Sequence, residues 1–260
     1  MKKIVLLILL LSHGLSRAED ILIIPYETTS LTDAQRHANP TRLIYPATLV
    51  GKDSVLMPCE MDSMQGVDLG TGVLWATCNV GAKSPEEYGD FFAWGETQPK
   101  DFYWWNTYKY CEGRDGYTLT KYCYDANYGI VDNNNILDPE DDIVQQKWGG
   151  KWRMPDRGEL AALYRDCTWY NHEIDGVMGF LVVSKINNNY IFLPCAGWKE
   201  GDSHFGKGTH LCMFSSSATN GNPNHNPDEV WAIWCEMYKL KSLTGKPRCL
   251  GFSIRPICEK

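Results

Sequence analysis

From Val67 onward the chain is cut into short β-rich runs by clusters of Gly, Asn and Asp, with Trp and Tyr throughout, and this punctuation restricts it to short elements. Runs bounded by turn residues predict strands at Gly72 to Ala76, Asp90 to Trp94, Gly179 to Ser184, Tyr190 to Leu193, Val230 to Tyr238 and Phe252 to Ile257. Two helices have a mechanism. Asp156 precedes Glu159 by three positions, a capping box, and Leu160, Leu163, Tyr164 and Cys167 follow at helical spacing, which predicts an amphipathic helix over 156–167. In Asp138-Pro139-Glu140-Asp141-Asp142, Asp138 suits an N-cap and Pro139 a first helical residue, so a helix start is expected there rather than a calcium loop. These elements do not alternate regularly, and long loops join them. An α+β domain of antiparallel sheets with two short helices is the expectation.

The N-terminus reads differently. Lys2 and Lys3 precede an apolar run from Ile4 to Leu11, and Ser16-Arg17-Ala18 suits signal peptidase, so residues 1–18 are read as a signal peptide. That run is shorter than the roughly 20 residues of a membrane-spanning helix, and no cysteine follows it to carry a lipid anchor. A secreted, periplasmic or cell-surface protein is expected. Residues 19–65 alternate short apolar runs with Pro25, Pro40, Pro46 and Pro58, which predicts an extended arm before a domain at 66–258.

Charge and cysteines narrow the partners. Cleavage after Ala18 takes the 25 basic residues down to 22 against 32 acidic ones, a net charge of −10 that disfavours nucleic acid. All ten cysteines lie beyond the leader, so disulfides are expected in an oxidising compartment. No C-x-x-C pair and no His pair at ligand spacing points to a structural zinc. Cys111 and Cys123 flank a short Gly-rich excursion and are a candidate pair.

Enzyme signatures are weak. His204 and His210 lack a metalloprotease spacing, Ser215-Ser216-Ser217 lacks the glycines of a nucleophile elbow, and Glu86, Glu87, Asp90 and Glu96 read as a solvated loop. Arg153 and Arg255 sit in strand-like segments and are expected to tie loops together through carbonyls or a carboxylate.

Long blocks carry a resemblance across Val67 to Ile257. They include Val67-Asp68-Leu69-Gly70, Trp75-Ala76-Thr77-Cys78-Asn79-Val80-Gly81-Ala82, Tyr88-Gly89-Asp90-Phe91-Phe92-Ala93-Trp94-Gly95-Glu96-Thr97, Leu119-Thr120-Lys121-Tyr122, Trp148-Gly149-Gly150-Lys151-Trp152-Arg153-Met154-Pro155, Ile191-Phe192-Leu193-Pro194, Ser215-Ser216-Ser217 and Gly251-Phe252-Ser253-Ile254-Arg255-Pro256-Ile257. In this order they resemble the Fibrobacter succinogenes major paralogous domain family of secreted and surface proteins from Bacteroidetes-type bacteria. The resemblance implies a C-type lectin-like fold, related in architecture to formylglycine-generating enzymes, with Trp75, Trp94 and Trp152 as structural residues. Met213-Phe214 replaces the usual Tyr-Trp pair, Cys195 replaces an Ala, and Cys212, Cys235, Cys249 and Cys258 look like additions.

The resemblance also implies that Cys78 and Cys167 are close enough to bridge, the rival expectation being two buried thiols that act as small apolar residues. It places an open face at the long loops and late strands, where Trp234, Tyr238, Asn222, Asn224, His225, Asn226 and Asp228 are the candidate contacts for an extracellular glycan or protein ligand. Alternation along the strand from Val230 puts Trp231, Ile233 and Cys235 on one face and Ala232, Trp234 and Glu236 on the other. Trp231 and Ile233 are expected inside and Trp234 at the contact. No cofactor is expected, with calcium on Asn226, Asp228 and Glu229 as the sharper variant of sugar binding. The alternative class is a copper/cysteine oxidase of the formylglycine-generating type, using Cys249 and Cys258 with Arg248 beside the former.

Overall fold

Gly70 and Gly72, both at positive φ where a side chain is strained, turn β1 (Gly66–Asp68) back on β2 (Val73–Ala76), so that Val67 pairs with Trp75. The structure is a computed structural model and describes residues 66–219, 222, 224–237 and 241–260. The leader at 1–18, the arm at 19–65 and Tyr238 lie outside the described residues. After β3 (Phe91–Phe92) and a 3-10 turn at Trp105–Thr107 come β4 (Leu119–Cys123) and β5 (Gly129–Val131). Helix α1 (Ile143–Trp148), β6 (Trp152–Arg153) and helix α2 (Arg157–Asp166) follow, and α2 runs straight into β7 (Cys167–Ile174). The remainder is strand: β8 (Val177–Ser184), β9 (Tyr190–Pro194), β10 (Trp198–Glu200), β11 (Ser203–Phe205), β12 (His210–Ala218), β13 (Glu229–Glu236), β14 (Lys241–Pro247), β15 (Phe252–Ser253) and β16 (Ile257–Glu259).

A five-stranded sheet in the order β14-β13-β12-β15-β3 lies beside a four-stranded sheet β1-β2-β16-β6 and a meander β7-β8-β9. Mostly antiparallel strands with two short helices make an α+β fold. Both faces of β12 and β13 are buried. Cys212, Phe214, Val230 and Ala232 enter one core with Trp94 and Phe252, while Leu211, Met213, Ile233 and Cys235 enter another with Trp75, Leu160, Leu163 and Ile257.

An early and a late strand of the domain lie side by side. β2 and β16 pair antiparallel, with Trp75 opposite Ile257 and Leu74 opposite Cys258. The strand expected over Phe252 to Ile257 is instead two strands in two sheets. Pro256 has no N–H to give to a ladder, and the segment between them crosses from one sheet to the other, its carbonyls at Ile254 and Pro256 accepting from Val80 N and Ala76 N, each at 2.9 Å.

Asp156 and Glu159 form the expected reciprocal cap on α2. Leu160 and Leu163 are fully buried in the core that holds Trp75 and Ile257, whereas Tyr164 lies on the helix flank and is exposed. The acidic run departs from expectation. Asp142, not Asp138, caps α1, accepting from Val144 N at 2.8 Å and Gln145 N at 3.2 Å, while the Asp138 carbonyl closes a turn from Asp141 N at 2.9 Å. Asp138 and Asp141 are drawn away from a capping role by Lys121, which pairs with both.

Neither expected cysteine pair is bridged. Cys167 is a free thiol at the end of α2, buried with Leu160, Leu163 and Phe180, and burial pushes it up to about 11. Cys78 is disulfide-bonded, with a partner outside the described residues. Cys111 and Cys123 are free because their sulfurs turn to different neighbours, Thr118 Oγ1 at 3.4 Å and the Asp125 carbonyl at 3.2 Å. Alkylation of the unreduced, denatured chain is therefore expected to label Cys111, Cys123 and Cys167 but not Cys78. Recovery of a Cys111–Cys123 or Cys78–Cys167 linked peptide by mass spectrometry would contradict this.

Candidate functional site

The loop after β12 is held from within. Asn222 Oδ1 accepts from Asn224 N at 3.0 Å, Thr219 Oγ1 donates to the Asn226 carbonyl at 3.0 Å, and Tyr128 OH reaches Asn226 Oδ1 at 3.4 Å. His225 Nδ1 lies 2.9 Å from Glu229 Oε2, and its ring meets the edge of Trp231 at 4.7 Å. Glu229 is thus turned to His225 and to Asn226 N at 3.3 Å. Asp228 is half-buried; burial raises its carboxyl, and Oδ1 has no hydrogen-bond partner among the described residues. Asn224 and Asn226 are exposed.

β13 distributes its tryptophans as its alternation requires. Trp231 is 8% exposed and Ile233 fully buried, while Trp234 is half-buried on the opposite face. The guanidinium of Arg157 covers the Trp231 ring at 4.2 Å. The loop at 222–229, tied to Trp231 through His225, and Trp234 therefore belong to different faces of the sheet. Among the described residues, the candidate contacts in the loop and Trp234 do not share one face.

Trp234 has partners that local pattern did not single out. Trp198 and Phe205 are cross-strand neighbours on β10 and β11, and their rings stack at 5.6 Å. Trp198 lies 4.7 Å from Trp234, and His210 meets both indoles edge-on at 5.3 and 5.6 Å. Lys246 Nζ stands 3.6 Å above the Trp234 ring. The result is a short stack whose end ring, Phe205, is 44% exposed. Glu200 accepts from Trp198 Nε1 at 3.3 Å, and Glu236 Oε2 lies 3.9 Å from His210 Nε2. This shelf combines apolar ring faces with charged groups of both signs, a composition suited to recognition.

The other polar clusters are spent on architecture. Arg153 forks onto both oxygens of Glu159 at 2.8 and 2.7 Å and reaches the Met154 carbonyl at 3.1 Å. Arg255 is fully buried and donates to Asn79 Oδ1 and to the carbonyls of Ala76 and Phe192, each at 2.9 Å. Both guanidiniums tie segments together, as expected. Trp75 and Trp94 are buried, and Trp152 packs edge-on against Trp148 at 5.1 Å. Trp94 Nε1 donates to the Ser215 carbonyl at 2.8 Å, while Ser215 Oγ donates to the Trp231 carbonyl at 2.9 Å. The serine hydroxyls bond backbone rather than a base.

The two cysteines considered for oxidase chemistry are in unlike settings. Cys249 is fully buried and burial pushes its thiol far up, while the Arg248 guanidinium turns to the carbonyls of Lys121, Tyr122 and Pro227. That is the reverse of an electropositive, accessible thiolate. Cys258 is half-exposed on β16, its sulfur against the Glu259 carbonyl at 3.4 Å. Among the described residues, no group of three or more His, Cys, Asp or Glu is placed to hold a metal ion, and no helix is long and apolar enough to cross a membrane. Comparison with protein-family models, with curated proteins and with solved structures finds no match to this chain.

Proposed function

We propose that this chain is a secreted or surface-exposed recognition module of the major paralogous type, with a C-type lectin-like domain that binds an extracellular glycan or protein ligand. The observation that carries the reading is the stack of Phe205, Trp198 and Trp234 under Lys246, where aromatic faces and unlike charges meet at the surface. Aromatic residues of this kind give large contact area at low entropic cost, which is why they anchor sugars and protein partners. The antiparallel pairing of β2 with the last strand, β16, supports the fold reading, and the expected leader and the cysteine content support an extracytoplasmic setting.

A glycan-array and cell-surface binding screen on the secreted chain tests it. Binding is expected, and Phe205→Ala is expected to weaken it by about 30-fold, the effect of losing about 2 kcal/mol of an aromatic contact. Circular dichroism separates a lost contact from a lost fold. Copper-dependent oxidation of a cysteine peptide by the same preparation would overturn the reading in favour of the oxidase class.

A further inference from the structure

The shelf contains a cation without a counterion among the described residues. Lys246 is half-buried against the Trp234 ring, and its ammonium makes neither a hydrogen bond nor an ion pair with any described residue. An ammonium has three donors and no acceptor, so its aromatic neighbour leaves its hydrogen-bonding capacity unmet. Burial lowers its pKa, against smaller opposing contributions from Cys212 and Glu229. Glu229 is held by His225, and Glu236 lies toward His210. Where water is already partly excluded, an arriving anion gains charge-assisted hydrogen bonds that this ammonium makes to no described residue.

Resting on the recognition reading above, we infer that the ligand of this shelf is an acidic saccharide whose carboxylate or sulfate docks on Lys246 while its sugar rings contact Phe205 and Trp198. Glu200 and Glu236 border the same rings and repel a dense polyanion, so a saccharide with widely spaced acid groups fits best.

Calorimetric titration of the whole secreted chain tests the inference, with three matched ligands: a neutral oligosaccharide, its C6-oxidised uronate form and its sulfated form. One or both acidic forms are expected to bind at least about 10-fold tighter than the neutral parent, and which one does identifies the acid group. Lys246→Gln is expected to abolish that preference, and Lys246→Arg to keep it. Raising salt is expected to weaken the acidic ligands only. Equal binding of all three ligands, with Lys246→Gln silent and Phe205→Ala still weakening, would overturn the inference and leave the recognition reading standing. If Phe205→Ala is silent as well, the recognition reading fails with it. Should Lys246→Gln not fold, the salt dependence and the ligand preference of the unmodified chain decide.

Discussion

Replacing Arg255 by methionine is expected to cost about 4 kcal/mol or more of folding stability, enough to leave little folded protein. The guanidinium is fully buried and joins three segments: the end of β2 at Ala76, the following turn at Asn79, and β9 at Phe192. Burial pulls its pKa down to about 9, so it remains a cation at neutral pH. Methionine fills similar space but strands three acceptors, each left buried at a cost of about 1–3 kcal/mol. A domain is typically stable by only about 5–15 kcal/mol. Arg255→Lys keeps the charge, yet a single ammonium does not reproduce three bonds aimed along a planar fork, and an intermediate loss is expected. Urea denaturation measures both. A shift below about 1 kcal/mol for Arg255→Met would show that the three bonds do not hold the segments together.

The second large effect is expected at Asp141, as a dependence of stability on acid. Its side chain is 1% exposed and accepts from Lys109 Nζ at 2.8 Å, Lys121 Nζ at 2.7 Å, Tyr122 OH at 2.6 Å and the Tyr110 hydroxyl. Burial by itself raises the carboxyl, but these four donors outweigh it and hold the group well below the ordinary carboxylate range. A carboxyl lowered on folding stabilises the native state fully above its unfolded value of about 3.9, and that contribution is lost as pH falls through this value towards the folded one. Asp138, lowered chiefly by its bond to Lys121, acts in the same direction; Asp142, raised by burial, acts in the opposite one. Asp141→Asn is expected to lose about 3–5 kcal/mol at neutral pH, because the negative charge that two lysines face is gone and an amide NH2 replaces one of the two oxygens to which the lysines and phenols donate. The gap between wild type and Asp141→Asn is expected to narrow steadily below about pH 4. A gap of constant size from neutral to strongly acid conditions would show that the carboxylate charge is not what the cluster depends on.

Some of this architecture was legible in local pattern. The Asp156–Glu159 box sets the start of α2, and alternation along β13 puts Trp231 and Ile233 inside with Trp234 across from them. Each depends on neighbours a few residues apart, where backbone geometry alone decides which side chains meet. β12 was not legible. Both its faces are buried, so Leu211-Cys212-Met213-Phe214 shows no alternation between core and solvent, and its three serines imitate a turn.

The shelf was decided one level higher. Trp198 and Lys246 reach Trp234, and Phe205 reaches Trp198, only because β13 is flanked by β12 and β14 and the β10–β11 hairpin places its tryptophan against that face. Alternation along β13 separates Trp234 from Trp231 and from His225, which packs on Trp231, although the resemblance grouped Trp234 and His225 on one face. Asp138 likewise suits a cap by its own chemistry, but Lys121, brought in by β4, claims its carboxylate, and the cap falls to Asp142. Residue types and short spacings determined which side chains are suited to capping, burial or contact. Tertiary structure decided which of them meet, because contacts between distant segments depend on strand order and on competition for partners, and neither is written in any one segment.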